Sequence, residues 1–342
     1  MTKNFGWHSL KASLEAEARL FNPTVAHTLK SGLDGIRDFG TQEGRPLLVD
    51  AGPGSNIQTL YRARAFQSDE KLKAALRRPD IQLGSSQGSW RSAAGIKAGG
   101  ILAFYGAMNQ QTAIADVRPS AGCQVAVARF EIIRKLRLLD LTALTNLRFT
   151  KTLADFGLTG RREAAIFLRS LSGRLAQSGM PDDDPYNHLA TDSMVHFLAM
   201  ETTAPIDGII FPRARAVGSP SSVVLFHKAA RVEQMYVSER ANISASTGRW
   251  TENGWVDDYE VLEEVHPHHR GNDRNEQGPG GAQPRAADGG SPAVPPNADQ
   301  RDDSLRVLIE SLTVHRVRHV DFTTDRFPVK RSRRDNKCGE IR

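Results

Sequence analysis

The sequence predicts an α+β protein, with short strands and helices mixed in irregular order. Short apolar runs at residues 208–211 and 223–226 have the length of buried strands. Helical spacing precedes them, in Ala164, Leu168, Leu171 and Leu175 and again in Ala190, Met194, Phe197 and Leu198. The order shows no regular βαβ repeat and no internal period, which argues against a doubly wound parallel sheet.

Bulk properties bound the remaining choices. The chain has 342 residues, 39% of them hydrophobic and 25% charged, as in an ordinary globular protein. At roughly 100–200 residues per domain this is one large domain or two smaller ones. The two cysteines, Cys123 and Cys338, give no disulfide framework and read as reduced thiols of a cytoplasmic protein. No stretch approaches the ~18 consecutive apolar residues of a membrane span. The first twenty residues lack the apolar core and cleavage site of a signal peptide. The net charge of +6 owes much to Lys330, Arg331, Arg333, Arg334 and Lys337 near the C-terminus. A solvated basic end accounts for them, and no direct nucleic-acid binding is expected.

Taken in order, residues 1–44 read as a helical segment, with Leu10, Leu14 and Phe21 on one face and Val25, Leu29 and Ile36 continuing past Pro23. A short apolar run at 46–49 stops at Ala51-Gly-Pro-Gly-Ser55, a turn that lacks the Gly-Lys-Ser/Thr ending of a phosphate-cradling loop. Residues 60–66 form a strand with Leu60, Arg62, Arg64 and Phe66 on one face, because side chains alternate. Further strands are expected at 101–105, 124–132 and 136–141. Residues 266–303 are rich in Gly, Pro, Asn, Asp, Gln and Ala and nearly free of large apolar residues. They cannot offset the entropy of ordering and read as a disordered linker after a domain spanning 45–265. Apolar residues return at 305–325, expected to pack back as strands over 304–329, and 330–342 reads as a flexible basic tail.

Six blocks carry a family resemblance. They are Leu60-Tyr-Arg-Ala-Arg64, Phe104-Tyr-Gly-Ala-Met-Asn-Gln-Gln-Thr-Ala-Ile-Ala-Asp-Val-Arg-Pro119, Val125-Ala-Val-Ala-Arg-Phe130, Leu136-Arg-Leu-Leu-Asp-Leu141, Asp207-Gly-Ile-Ile-Phe-Pro212 and Val223-Val-Leu-Phe226. In this order they resemble the RES family over about residues 45–235. The resemblance implies a fold similar to ADP-ribosyltransferase toxins, with small mixed sheets flanked by helices. It implies NAD as a substrate cleaved by phosphorolysis or hydrolysis, with inorganic phosphate as a possible co-substrate and no resident cofactor. It also implies a toxin role in a toxin–antitoxin pair, with a helix-turn-helix antitoxin as partner. A homo-oligomer stays open.

The resemblance assigns roles residue by residue. Arg62 matches the family's arginine, and Arg64 shares its strand face. A planar guanidinium grips phosphate oxygens through two parallel hydrogen bonds, as a pyrophosphate requires. Asp116, in Thr112-Ala-Ile-Ala-Asp116, stands where the family usually has Glu. A carboxylate there stabilises the oxocarbenium-like charge that builds as the nicotinamide–ribose bond breaks. Arg213 and Arg215 replace the family's Ser and Gln, and are read either as phosphate ligands or as exposed loop charges. Ser222 stands where an Asn often precedes Val-Val-Leu-Phe, and Tyr105 is placed to stack on nicotinamide or to serve as a core ring. Gly95 and Lys97 depart from a Gly-Arg-x-Asn pattern, and Asp184 and Asp192 from Glu and Gln. Arg62 and Asp116 are thus the expected catalytic pair, and Arg64, Tyr105, Arg213 and Ser222 the expected substrate contacts. The departures leave a second reading, a weakened RES fold that binds NAD or a protein partner without turnover.

No metal site is expected. His266, His268 and His269 fall in the linker without Cys or carboxylate at ligand spacing. A Rossmann glycine fingerprint is also lacking, so NAD is expected as a molecule to be broken and not as a hydride carrier.

Overall fold

The computed structural model describes residues 45–84, 103–146, 206–212, 221–265, 301–321 and 326–329, together with positions 166, 168, 169, 172 and 173. The expected N-terminal helices, the helical pattern at 190–198, most of the linker and the basic tail lie outside the described residues. So do Arg213, Arg215 and the three histidines of the linker.

Ten strands, three α-helices and two 3-10 turns, with further helical residues at positions 166, 168, 169, 172 and 173, make up the described fold. The strands are β1 (Leu48–Ala51), β2 (Thr59–Phe66), β3 (Phe104–Ala107), β4 (Gln124–Ile132), β5 (Leu136–Asp140), β6 (Gly208–Pro212), β7 (Ser221–Leu225), β8 (Ala241–Thr251), β9 (Gly254–Val265) and β10 (Leu305–Arg316). The helices are α1 (Asp69–Arg77), α2 (Pro79–Gln82) and α3 (Gln110–Asp116). Eight strands form one sheet in the order β1-β5-β6-β7-β3-β2-β4-β10, and β8 and β9 form a separate two-stranded ribbon. Only β5 and β6 run parallel. The fold is therefore α+β.

The sheet has a seam. β2 pairs with β4 at eight positions and β3 with β7 at four, but β2 and β3 share the single pair Tyr61–Ala107. Two halves, β1-β5-β6-β7-β3 and β2-β4-β10, thus meet at one rung. Loss of the ladder beyond that rung leaves strand carbonyls to find other donors, since buried backbone acceptors are costly unpaired.

Alternation along the strands gives the sheet two apolar faces. On one lie Leu60, Phe66, Phe104, Phe130, Val223 and Leu225, packed with Leu72, Ala75 and Leu76 of α1 in the main core. Phe104 and Phe130 meet edge to face, with ring centroids 5.0 Å apart. The other face carries Ala63, Ala107, Val125 and Val127 beneath Ala113 of α3. Small side chains there let the helix sit close.

Several elements differ from the sequence reading. The strand expected at 101–105 begins at Phe104 and continues to Ala107. The C-terminal strands are one strand of twelve residues, β10, paired with β4 and interrupted by a bulge between Leu308 and Thr313. Helices α1 and α2 and the β8–β9 ribbon were not foreseen. The ribbon docks on the body through Thr247, whose Oγ1 donates to Asp69 of α1 at 2.6 Å, and through Tyr259, which accepts from Gln124 at 2.8 Å. The Ala51–Ser55 cluster is a turn, with Gly52 at φ 104° and its N–H bonded to the Ile57 carbonyl at 2.7 Å. Among the described residues no helix is long and apolar enough to cross a membrane.

Gly208 shows how tightly the sheet is built. A Cβ at this position would stand 2.3 Å from the Val224 carbonyl oxygen, across the β6–β7 ladder. Backbone cannot yield as a flexible side chain can, so Gly208→Ala is expected to destabilise by about 1–3 kcal/mol or more. A lower urea midpoint at unchanged slope would register this. An unchanged midpoint would show that β6 and β7 have room to part.

Candidate functional site

The site is built where α3 crosses the seam. Asn109 caps α3, its Oδ1 accepting the Thr112 N–H at 2.8 Å, and this fixes the helix directly after β3. Asp116 ends the helix. A carboxylate in a last turn faces the negative end of the helix dipole, so its own helix does not stabilise it. A donor from elsewhere does. The Ser222 hydroxyl of β7 donates to Asp116 Oδ2 at 2.6 Å, the length of a charge-assisted O–H···O bond. Ser222 is buried at 4% exposure and cross-strand from Ala107, and Asp116 is half-buried. One oxygen of the carboxylate is thereby oriented.

Tyr105 joins this pair on the same face. It lies two residues before Ala107 and opposite Val224, so its half-buried side chain points to the side of the sheet that carries Ser222 and α3. Three of the residues singled out in the sequence, Tyr105, Asp116 and Ser222, thus share one face near the seam.

The two arginines of β2 lie elsewhere. Arg62 is adjacent to Tyr61, whose partner is Ala107, so its side chain leaves on the opposite face, among the main core. It is 4% exposed, with its Cζ 4.8 Å from the Phe104 ring centroid. Its Nη1 donates to the Tyr105 carbonyl at 3.0 Å, serving an acceptor that the broken β2–β3 ladder leaves open. Burial, partly offset by Tyr105 and reinforced by the neighbouring Arg64, pulls this guanidinium down to about 10, and it remains a cation at neutral pH. Arg64 donates to the Gln82 carbonyl at 2.8 Å and lies 5.3 Å from the Phe66 ring, which ties β2 to α2. The register therefore brings Asp116 to Ser222 and sets Arg62 on the far side of the same strands. Arg213 is outside the described residues.

Two features escaped the sequence reading. Asn109 precedes the helix as an N-cap signal, and Ser222 was read as a substrate contact and not as the donor to Asp116. The first was legible in the residues. The second needed the fold.

A family model for the RES domain matches residues 59–246, more than half of the chain. The chain belongs to the RES-domain family. No curated protein and no solved structure matches it. The RES match opens at Thr59, the first residue of β2, and closes at Ser246 within β8. Asp116, Ser222, Tyr105 and Arg62 all fall inside it. The RES match leaves out β1, β9 and β10, although β10 completes one edge of the main sheet.

Proposed function

We propose that this RES-domain protein degrades NAD, cleaving the bond between nicotinamide and ribose. The hydrogen bond from Ser222 to Asp116 is the observation that supports it most directly: it orients a half-buried carboxylate on the sheet face that also carries Tyr105. In the proposed reaction the C–N electron pair leaves with neutral nicotinamide, and the ribose ring takes on oxocarbenium character. Asp116 stabilises that charge, and Tyr105 stacks on the departing ring. Inorganic phosphate or water then adds to C1 of the ribose, giving the sugar phosphate, or the free sugar with release of a proton. Arg62 acts as a positioning residue, holding the backbone of Tyr105 from behind. Phosphate binding by Arg213 belongs to the same proposal.

Purified protein should consume NAD in phosphate buffer, followed by chromatography of nicotinamide. Ser222→Ala removes a hydrogen bond to a charged group, worth about 1.5–3 kcal/mol, so turnover should fall roughly 10- to 100-fold. Wild-type protein that leaves NAD intact at micromolar concentration would end this reading. As a toxin of a toxin–antitoxin pair acting in the cytoplasm, the protein should also arrest growth when expressed. A helix-turn-helix antitoxin encoded beside it should restore growth; growth without any delay would count against the toxin role.

A second reading is favoured by Arg62. Its guanidinium is occupied by the Tyr105 carbonyl on the face opposite Asp116, and the carboxylate is one methylene shorter than the family's Glu. The domain on this reading binds NAD or a protein partner without turnover. Calorimetric binding of NAD with no product, and turnover gained in Asp116→Glu, would select it.

A further inference from the structure

The ribbon presents an unpaired strand edge. Among the described residues β9 pairs with β8 alone, so its outer edge offers backbone donors and acceptors to a further strand. Large apolar side chains stand uncovered along it. Trp255, Val256, Val261, Leu262 and Val265 are 44–60% exposed. Trp250 of β8, 78% exposed, meets Trp255 edge to face with ring centroids 5.8 Å apart. Consecutive residues of a strand point to opposite faces, so β9 is apolar and open on both. Charge guards many solvent-facing edges, but it does not account for a row of exposed apolar side chains.

The charge of the ribbon selects what covers it. Residues 241–265 carry Glu252, Asp257, Asp258, Glu260, Glu263 and Glu264 against one basic residue, Arg249. Arg316 holds Asp257 at 2.9 Å and Arg249 lies 3.2 Å from Asp258. Glu260, Glu263 and Glu264 have no ion pair among the described residues. A second copy adding its own β9 would set acid against acid, which is destabilising. A basic strand is the complement. Residues 326–342 supply one, with seven basic residues against Asp335 and Glu340, and exposed Phe327 and Val329 lead into the basic run.

We infer that the basic C-terminal segment, residues 330–342, docks as an added strand on the acidic outer edge of β9. The connection brings it within reach. β10 ends at Arg316, whose guanidinium holds Asp257, so the chain leaves the main sheet beside the ribbon. The stretch from Arg316 to Lys330 can extend over about 45 Å, and β9 from Asp257 to Val265 is about 26 Å long. Lys330, Arg331, Arg333 and Arg334 then face Glu260, Glu263 and Glu264 while backbone hydrogen bonds widen the ribbon to three strands. Covering the edge also closes a place where another chain could add. β9 and the C-terminal segment lie outside the RES match, and the contact does not rest on the NAD reading.

Amide hydrogen exchange on the full-length protein tests this, comparing wild type with a variant carrying Lys330→Gln, Arg331→Gln, Arg333→Gln and Arg334→Gln together. At low salt the β9 amides that do not bond to β8 should exchange roughly tenfold more slowly in wild type, as expected when several exposed ion pairs hold a strand in place. About 0.5 M salt should abolish the difference, because it screens exposed charges. Amides in the β8–β9 ladder should be equally protected in both proteins. Glu260→Lys, Glu263→Lys and Glu264→Lys together should remove the protection. Adding Lys330→Glu, Arg331→Glu, Arg333→Glu and Arg334→Glu to that ribbon should restore it, which damage to the fold could not do. Equal exchange in wild type and the glutamine variant, or no restoration by the exchanged charges, overturns the inference. Protection that rises with protein concentration also overturns it, since the strand would then come from another molecule. No turnover is measured, so failure here and failure of the NAD reading are separable.

Discussion

Asp116→Asn should lower NAD turnover by about 100- to 1000-fold, the loss usual when one preorganised electrostatic stabiliser is removed from a transition state. Asparagine keeps the size of the side chain and can still accept the Ser222 hydroxyl through its amide oxygen. It removes only the negative charge. Asp116→Ala should lose as much activity, and it also leaves Ser222 Oγ, in a residue 4% exposed, without this acceptor. An unsatisfied buried hydroxyl costs about 1–3 kcal/mol, so the alanine variant should melt earlier than the asparagine variant. The pair separates loss of chemistry from loss of fold. Lengthening to Glu moves the carboxylate by about one carbon–carbon bond and should disturb the geometry that Ser222 sets. A misplacement of about 1 Å can cost roughly 100-fold in rate. Full activity in Asp116→Asn would remove the carboxylate from the mechanism.

Phe104→Ala should cost about 3–5 kcal/mol of stability, against a total of about 5–15 kcal/mol for a folded domain. The ring is fully buried and meets Phe130 edge to face at 5.0 Å. It also lies beneath the Arg62 guanidinium, 4.8 Å from Cζ to the ring centroid. Gly106 allows this packing, since a Cβ there would stand 3.0 Å from Phe104 Cε1. Truncation thus removes packing that ties β3 to β2 and β4 across the two halves of the sheet. For a domain of this size the melting temperature should drop on the order of 10 °C. Phe104→Leu keeps most of the volume and should cost far less. If Phe104→Ala melted like wild type, the seam would not be the tight point of the fold that the packing indicates.

Much of the fold was legible in the residues. Alternation in 60–66 and the apolar runs at 124–132, 208–211 and 223–226 correspond to β2, β4, β6 and β7. The ribbon was missed for a physical reason. β8 is small and polar, and β9 carries Asp257, Asp258, Glu260, Glu263 and Glu264, so neither has a clean apolar face. Its turn did carry a signal, because Asn253-Gly254 favours a two-residue hairpin and Gly254 adopts φ 106°. α1 was hidden by its five charged residues, with only Leu72, Ala75 and Leu76 buried.

The sequence by itself determined the family, through six blocks in order, and the strand face that Arg62 shares with Leu60 and Phe66, through a period of two. It could not say which face of that strand would become core and which would receive α3. The chain order β3, α3, β4 allows the helix to cross on either side, and only the packing of Ala113 onto Ala63, Ala107 and Val127 chose one. That choice joined Asp116 to Ser222, 106 residues apart, and separated it from Arg62. Side-chain alternation is local and can be read from the residues, whereas the side on which a helix lands depends on which surfaces fit when the whole sheet is assembled.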